Sequence, residues 1–302
     1  MIQLYHIINP VRVTQSSDLF YAQPITFESM KRAQSFCQEE AEIFLVTTQY
    51  EEDLPIIPDY FKILSNLERS ILDVHPELKR KKLPLIKDIL QKAVEECPLA
   101  DYIIYTNVDI GLMPHFYDFV IQKIHLGHDA IVINRRRIPN RYFRIEDLPS
   151  IYSDLGRSHP GFDCFVIKKS IIEQFILDDI CIGISFLEAC LVHNIFSFAQ
   201  NPLFIPDGHL TFHIGMDVLV PRNNDFYRHN RKTFFNKIYP QLKPHFDLKK
   251  FPYGNVKWPK RAINWMLNPA LFTRNYLNLE GKSIKQKVKT YLDEIRWRIL
   301  QK

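Results

Sequence analysis

The stretch Ala100–Pro114 reads ADYIIYTNVDIGLMP. Its segment Tyr102–Thr106 (YIIYT) is a short continuous run of apolar and β-favouring residues, the pattern of a strand buried on both faces. It runs straight into Asn107-Val108-Asp109 and then Gly-Leu-Met-Pro, so the strand ends on polar side chains. A carboxylate at the tip of a buried strand is well placed to hold a divalent metal. Asp109 offers a hard anionic oxygen and Asn107 a neutral one, the donors that Mg²⁺ or Mn²⁺ prefers. The competing reading is a strand-end turn in which Asp109 caps Gly111 or the following helix.

Around this stretch strands and helices alternate. Met1–Ile8 reads as an apolar strand that stops at Asn9-Pro10, because Pro10 has no N–H for a ladder. Thr26–Gln38 reads as a helix with Thr26 as N-cap and Ser29 where a capping box would place Glu. Glu42–Thr47 (EIFLVT) is a strand-type run. Leu83–Glu96 carries Leu85, Ile86, Ile89, Leu90 and Ala93 at helical spacing. Phe116–Leu126 reads as a helix and Ala130–Asn134 (AIVIN) as a strand. This order predicts an α/β fold with a mostly parallel sheet flanked by helices. Ligands of such sheets bind at the carboxyl ends of the strands, which singles out Asn9, Thr47, Thr48, Asn107, Asp109 and Asn134. Further on, Cys164–Lys168 reads as a strand, Ser170–Phe175 and Ile184–His193 as helices, Phe196–Phe204 as a short strand, and His209–Ile214 alternates.

The composition excludes several classes. Of 302 residues, 46% are hydrophobic and 24% charged, too apolar for intrinsic disorder. Nine glycines without a period exclude a collagen-like chain. A chain of this length can bury roughly three quarters of its unfolded surface. No apolar run reaches the ~18 residues of a spanning helix, and Met1–His6 lacks the pattern of a signal peptide. Five scattered cysteines without a C-x-x-C indicate neither a disulfide framework nor a zinc site, which favours a reducing compartment. The expected location is cytoplasmic. No G-x-G-x-x-G follows a strand and no G-x-x-x-x-G-K occurs, which disfavours a dinucleotide-binding dehydrogenase and a P-loop kinase.

Charge is unevenly placed. The net charge is +5, yet Lys249–Lys302 holds 13 Lys+Arg against 3 Asp+Glu, a local +10 that leaves −5 on the rest. The last segment, Lys282–Gln301, places Ile284, Val288, Tyr291, Ile295 and Ile299 on one helical face, flanked by Lys285, Lys287, Lys289, Arg296 and Arg298. A basic amphipathic helix can lie on an anionic membrane surface, and a solvated basic face is the plainer reading. Residues 1–215 are therefore expected to form the main domain. Residues 216–302 are expected to form an aromatic and basic C-terminal extension ending in that helix. The tail lacks a nucleic-acid motif, so a specific nucleic-acid partner is not expected.

Several features in chain order resemble the nucleotide-sugar site of GT-A-fold glycosyltransferases of the family 2 type. They are the opening strand ending at Asn9-Pro10, the polar Asn107-Val108-Asp109 resembling D-x-D, and the basic, helix-starting Arg80–Asp88 (RKKLPLIKD). Next come Ser158–Phe165 (SHPGFDCF) resembling an acceptor-side strand, Gly183–Leu191 (GISFLEACL) where such enzymes carry an acidic pair, and His209–His213 (HLTFH) where many supply a late histidine ligand. The resemblance covers residues 1–215 and implies a GT-A-like, Rossmann-like fold. It implies transfer of a sugar from a nucleotide-sugar donor to a hydroxyl of a glycan or glycolipid acceptor. It departs from the family where Asn107 replaces the first acid of D-x-D and Ala189 follows Glu188.

On that resemblance, donor contacts fall to Asn9, Pro10, Thr47, Arg80, Lys82, Lys87, Asp88 and Asn107. A metal, Mn²⁺ or Mg²⁺, falls to Asp109, Asn107 and His213, and acceptor-side positions are His159 and Gly161. The acceptor hydroxyl needs a general base. Glu188, among apolar neighbours that would raise its pKa, comes first and Asp163 second. A single base implies direct displacement with inversion. Arg135-Arg136-Arg137, a cluster after the strand Ala130–Asn134, could bind anions of acceptor or diphosphate, or form a solvated loop. His209 and His213 share a side if they lie on one strand. A non-catalytic glycan- or nucleotide-sugar-binding protein on the same fold is the alternative.

Overall fold

The structure is a computed structural model that describes residues 1–78, 81–215, 225–247, 249–257, 260–268 and 270–271. Among the described residues nine strands form one sheet: β1 (Ile2–Ile8), β2 (Ala41–Thr47), β3 (Lys62–Ile63), β4 (Tyr102–Thr106), β5 (Ile110–Leu112), β6 (Ala130–Ile138), β7 (Arg157–Lys168), β8 (Pro202–Ile205) and β9 (Thr211–Ile214). The α-helices are α1 (Leu19–Phe36), α2 (Ile71–Val74), α3 (Ile86–Glu96), α4 (Phe116–His125), α5 (Leu148–Ser153), α6 (Lys169–Ile172), α7 (Leu187–Phe198), α8 (Asp225–Thr233), α9 (Tyr239–Leu242) and α10 (Lys260–Leu267).

The sheet runs β3-β2-β1-β4-β7-β6-β9-β5, with β8 beside β6. Strands β3, β2, β1 and β4 are mutually parallel, as are β6 with β8 and β6 with β9. Only β7, between β4 and β6, and β5, beside β9, pair antiparallel. The expected α/β class, a mostly parallel sheet flanked by helices, is what the structure contains.

The central strands are apolar on both faces because both faces are covered. On one face Leu4, Ile8, Leu45, Ile104, Ile131 and Val166 meet Phe27, Met30 and Ala33 of α1 and Phe116, Tyr117, Val120 and Ile121 of α4 in one buried cluster. Helix α1 starts at Leu19, seven residues before the expected N-cap. It tolerates Pro24, whose missing N–H removes a single bond near the helix start. Thr26 is therefore a buried mid-helix residue. Ser29, expected near a cap, donates to Thr26 O at 2.7 Å and accepts from Leu112 N at 3.0 Å, tying α1 to β5.

Strand β6 runs to Ile138, four residues beyond the expected end, so Arg135-Arg136-Arg137 lie on a strand and not in a loop. Its ladder with β7 shifts register around Asn134. That irregularity breaks the simple alternation a sequence pattern relies on. Gly111 of β5 faces Phe212 of β9. A Cβ on Gly111 would sit 2.2 Å from Phe212 Cζ, so the ring lies directly over the glycine.

The chain divides into two compact units, Met1–Asp247 and Leu248–Lys302. The sequence boundary at residue 215 falls inside the first. Residues after it belong there because buried Asn230 of α8 accepts from Cys181 N at 3.0 Å and donates to Cys181 O at 2.9 Å. In the second unit α10 is held by Trp265, whose Nε1 donates to Pro252 O at 2.7 Å beside Phe251. The amphipathic segment 282–302 lies outside the described residues.

Candidate functional site

The carboxyl ends of β1, β2 and β4 share one edge of the sheet because the strands are parallel. The end of β4 is fixed from below. His6, fully buried on β1, bridges Thr106 Oγ1 and Tyr117 Oη, each at 2.9 Å. Burial pushes the His6 pKa down to about 3, so this histidine is a neutral structural link. The next residues turn tightly: Ile110 N donates to Asn107 O at 3.1 Å, and Tyr105 Oη donates to Asn107 Oδ1 at 3.0 Å.

That turn delivers Asp109 to the start of β5, where the neighbouring β9 presents His213 opposite Ile110. His213 Nε2 donates to Asp109 Oδ2 at 3.1 Å. Burial raises the Asp109 pKa, but the hydrogen bond from His213 and the charges of His213 and Arg135 outweigh it and hold the carboxyl below its usual range. The structure thus brings Asp109 and His213 together from positions 104 residues apart. His209 is not with them on the strand: it precedes β9 with φ 47°, so the shared-side argument does not apply to it.

Asp163 of β7 is buried, 3% exposed, and forms an ion pair with Arg135 of β6, itself 16% exposed. Burial raises the Asp163 pKa while Arg135 opposes the rise. The guanidinium engages one carboxylate oxygen of Asp163, the residue expected as the second candidate base. Asp163 Oδ2, Arg135 Nε and His213 Nδ1 are buried without a hydrogen-bond partner among the described residues.

Glu188 lies in the first turn of α7. That helix starts at Leu187, three residues later than expected, because Phe186 stands in the left-handed region with φ 81°. For a bulky residue this conformation is strained. Phe186 is held there by ring contacts to Tyr227, Phe234 and Phe235 at 5.5–5.8 Å. Among the described residues Glu188 has no ion pair, so the arginine partner that would have made it structural is not found. Burial, aided by the charge of Asp163, pushes its pKa up to about 7, against a backbone hydrogen bond and Arg135. Tyr105 feels the charges of Asp109, Glu188 and Asp163 together, which puts three carboxylates around the end of β4.

Several of the expected donor residues are engaged by neighbouring groups. Asn9 Nδ2 donates to Thr48 O at 2.6 Å, Thr47 Oγ1 donates to Gln49 Oε1 at 2.8 Å, and Pro10 is buried. Lys82 pairs with Glu52 at 2.7 Å and lies 3.7 Å over the Tyr50 ring; Asp88 pairs with Arg69 at 2.8 Å. Lys87 is exposed on α3, and Arg80 lies outside the described residues. Of the positions expected on the acceptor side, Gly161 N donates to His159 Nδ1 at 2.8 Å. Sequence reasoning missed Tyr105 and His6, whose strand positions read only as core, and the pairing of Arg135 with Asp163. The charges of that pair were legible; their partnership across a shifted ladder was not.

No protein-family model and no curated protein matches this chain. Among solved structures it is similar to S. aureus TarS 1-349 in complex with UDP-GlcNAc, at 8% identity and TM-score 0.47, over 95% of this chain and 78% of that one. It is similar to the same protein in complex with UDP at 12% identity and TM-score 0.41, over 91% and 87%. Rv0371c from Mycobacterium tuberculosis H37Rv is similar at 11% identity and TM-score 0.36, over 76% and 97%. With TM-scores below 0.5, these similarities leave the argument to the site's own residues.

Proposed function

We propose that the chain is a GT-A-like glycosyltransferase that moves a sugar from a nucleotide-sugar donor to an acceptor hydroxyl with inversion. The observation that carries this reading is the convergence, at the carboxyl edge of a mostly parallel sheet, of the Asp109–His213 pair with a carboxylate, Glu188, whose proton affinity is raised to about 7. A base poised near neutral pH suits proton removal from a hydroxyl. Glu188 accepts the hydroxyl proton as the acceptor oxygen bonds to the anomeric carbon. The bond from that carbon to the diphosphate oxygen breaks, and its electron pair leaves with the nucleoside diphosphate.

Developing charge on the leaving group needs a counter-charge. Asp109 would offer a divalent ion a carboxylate oxygen, and His213 would offer Nε2 once it gives up the proton it donates to Asp109. Such an ion would neutralise the leaving diphosphate. Among the described residues no group of three or more His, Cys, Asp or Glu is arranged to hold a metal, so donor oxygens would have to complete the shell. Asn107 keeps its oxygen on Tyr105.

A thermal-shift screen tests the reading, with UDP-, GDP-, ADP-, CMP- and dTDP-sugars, each with and without Mn²⁺ or Mg²⁺. A folded-state ligand raises the melting temperature. One nucleotide class stabilising the chain, followed by release of its nucleotide on addition of glycan or glycolipid acceptors, supports the transferase. Stabilisation without turnover favours a binding protein, and no shift with any donor overturns both. No helix among the described residues is long and apolar enough to cross a membrane. We assign the anionic membrane role to residues 282–302 as a proposal of the same standing, checked by liposome sedimentation of the chain with and without them.

A further inference from the structure

Beyond the register shift, β6 and β7 continue outward from the Arg135–Asp163 pair. Arg137 of β6 is the register partner of Arg157 on β7 and, on its other side, of His213 on β9. Register partners point to the same face of a sheet. Arg157, Arg137 and His213 therefore form a row across three strands, and the row ends at the His213–Asp109 pair. Arg136, between Arg135 and Arg137 in sequence, faces the other way and pairs with Asp207. Arg157 is exposed, and its side chain makes no hydrogen bond or ion pair among the described residues.

His159 stands two residues beyond Arg157, on the same face. It is 9% exposed and lies within the field of Arg135, Arg137 and His213. Gly161 N donates to its Nδ1 at 2.8 Å, which makes Nδ1 the acceptor and leaves the ring proton on Nε2. That donor has no partner among the described residues. The fold-back needs glycine: a Cβ on residue 161 would come within 2.5 Å of His159 Cε1. Burial and the neighbouring cations depress the His159 pKa to about 2, so the imidazole stays neutral and its tautomer does not change across working pH. Burial and the charges of Arg135 and Arg157 also lower the Arg137 pKa, the mark of like charges held together.

We propose that Arg157, Arg137 and the Nε2–H of His159 form a site for a phosphoryl oxyanion. Arginine forks match tetrahedral phosphoryl oxygens, and an anion between Arg137 and Arg157 turns their repulsion into attraction. Along the row His213 stands between the anion and Asp109, so the anion site flanks the Asp109–His213 pair. The phosphoryl group belongs either to the donor's diphosphate or to a phosphate carried by the acceptor. In both cases the inference deepens the transferase reading by naming the charged group that this wall of the site takes.

The test is calorimetric titration of the full chain with inorganic phosphate, pyrophosphate and glycerol 3-phosphate, repeated on Arg157→Gln and His159→Phe. Arg157 is exposed, so its variant keeps the fold, which circular dichroism checks. Binding to the wild type, weakened about tenfold in Arg157→Gln and also reduced in His159→Phe, is the expected result. A larger loss for pyrophosphate assigns the site to the donor; a larger loss for glycerol 3-phosphate assigns it to a phosphate-bearing acceptor. No binding of any probe to the wild type, or affinities unchanged within twofold in folded Arg157→Gln, overturns the proposal. Phosphate binding lost in Arg157→Gln, with a blank nucleotide-sugar screen, would leave the anion site standing while the transferase reading falls.

Discussion

Replacing Glu188 by Gln is expected to inactivate the protein and to stabilise it. The reasoning starts from a carboxyl whose pKa moves from 4.5 to about 7 on folding, chiefly through burial beside Asp163. A raised folded-state pKa means that the folded protein holds this proton more tightly than the unfolded chain. The stability it contributes is full below pH 4.5 and is lost as pH rises through about 7. Relative to a neutral side chain, the ionised glutamate costs almost nothing at pH 4. For a shift of this size the cost reaches about 3 kcal/mol by pH 8, and solvent screening of a partly exposed group reduces it to about 1–3 kcal/mol. Glutamine never ionises and escapes the cost.

Urea denaturation of wild type and Glu188→Gln at pH 4, 6 and 8 reads this directly. The two should coincide at pH 4 and separate progressively, with the variant more stable at pH 8. Turnover should fall about 10²–10⁴-fold, as loss of a general base does. Wild-type turnover should drop about tenfold per pH unit below 7, because the base must be ionised. A constant stability difference at all three pH values, or a variant less stable at pH 8, would refute the desolvated-base argument whatever happens to activity.

Gly111→Ala should destabilise by at least 1–3 kcal/mol, since its Cβ would overlap the Phe212 ring at 2.2 Å; an unchanged urea midpoint would show that β9 can yield. His6→Phe strands the hydroxyls of Thr106 and Tyr117, at about 1–3 kcal/mol for each group left without a partner, and hydrogen exchange should speed first along β4. Unaltered exchange there would remove His6 from its role. Arg135→Gln leaves Asp163 buried and unpaired at a cost of about 3–5 kcal/mol, and adding Asp163→Asn should recover part of it. Strict additivity of the two changes would mean that the pair is not coupled.

The fold was legible where one residue pattern meets one environment. Tyr102–Thr106 reads as a doubly buried strand and is one, with all five positions buried. Legibility failed where backbone chemistry overrode pattern. Pro24 looks like a helix breaker, yet near the start of α1 it removes only one bond. Three consecutive arginines look like a loop, yet a register shift lets β6 carry them with alternate ones facing different partners. Of the site, the individual acids and His213 could be picked out by type and position. Their grouping could not, because Asp109 meets His213 only through β5 and β9, short strands whose pairing joins residues 104 apart in sequence.

Two features that look unfavourable in isolation explain each other at this edge of the sheet. Phe186 holds φ 81°, a conformation that costs on the order of 1–3 kcal/mol, and three carboxylates gather around Tyr105 with few compensating cations. A glycine at 186 would relieve the first at the cost of the ring contacts to Tyr227, Phe234 and Phe235, and apolar residues would relieve the second. The strained turn is what starts α7 at Leu187 and sets Glu188 in its first turn. There the positive helix end partly supports an ionised carboxylate while burial opposes it. The opposition of those two effects, with Asp163 adding to burial and Arg135 to the helix end, brings the group to about 7. A carboxylate wanted only for structure would have been paired, as Asp163 and Asp88 are. One kept unpaired by a strained backbone and a clamped neighbour is what the proposed proton transfer from an acceptor hydroxyl needs.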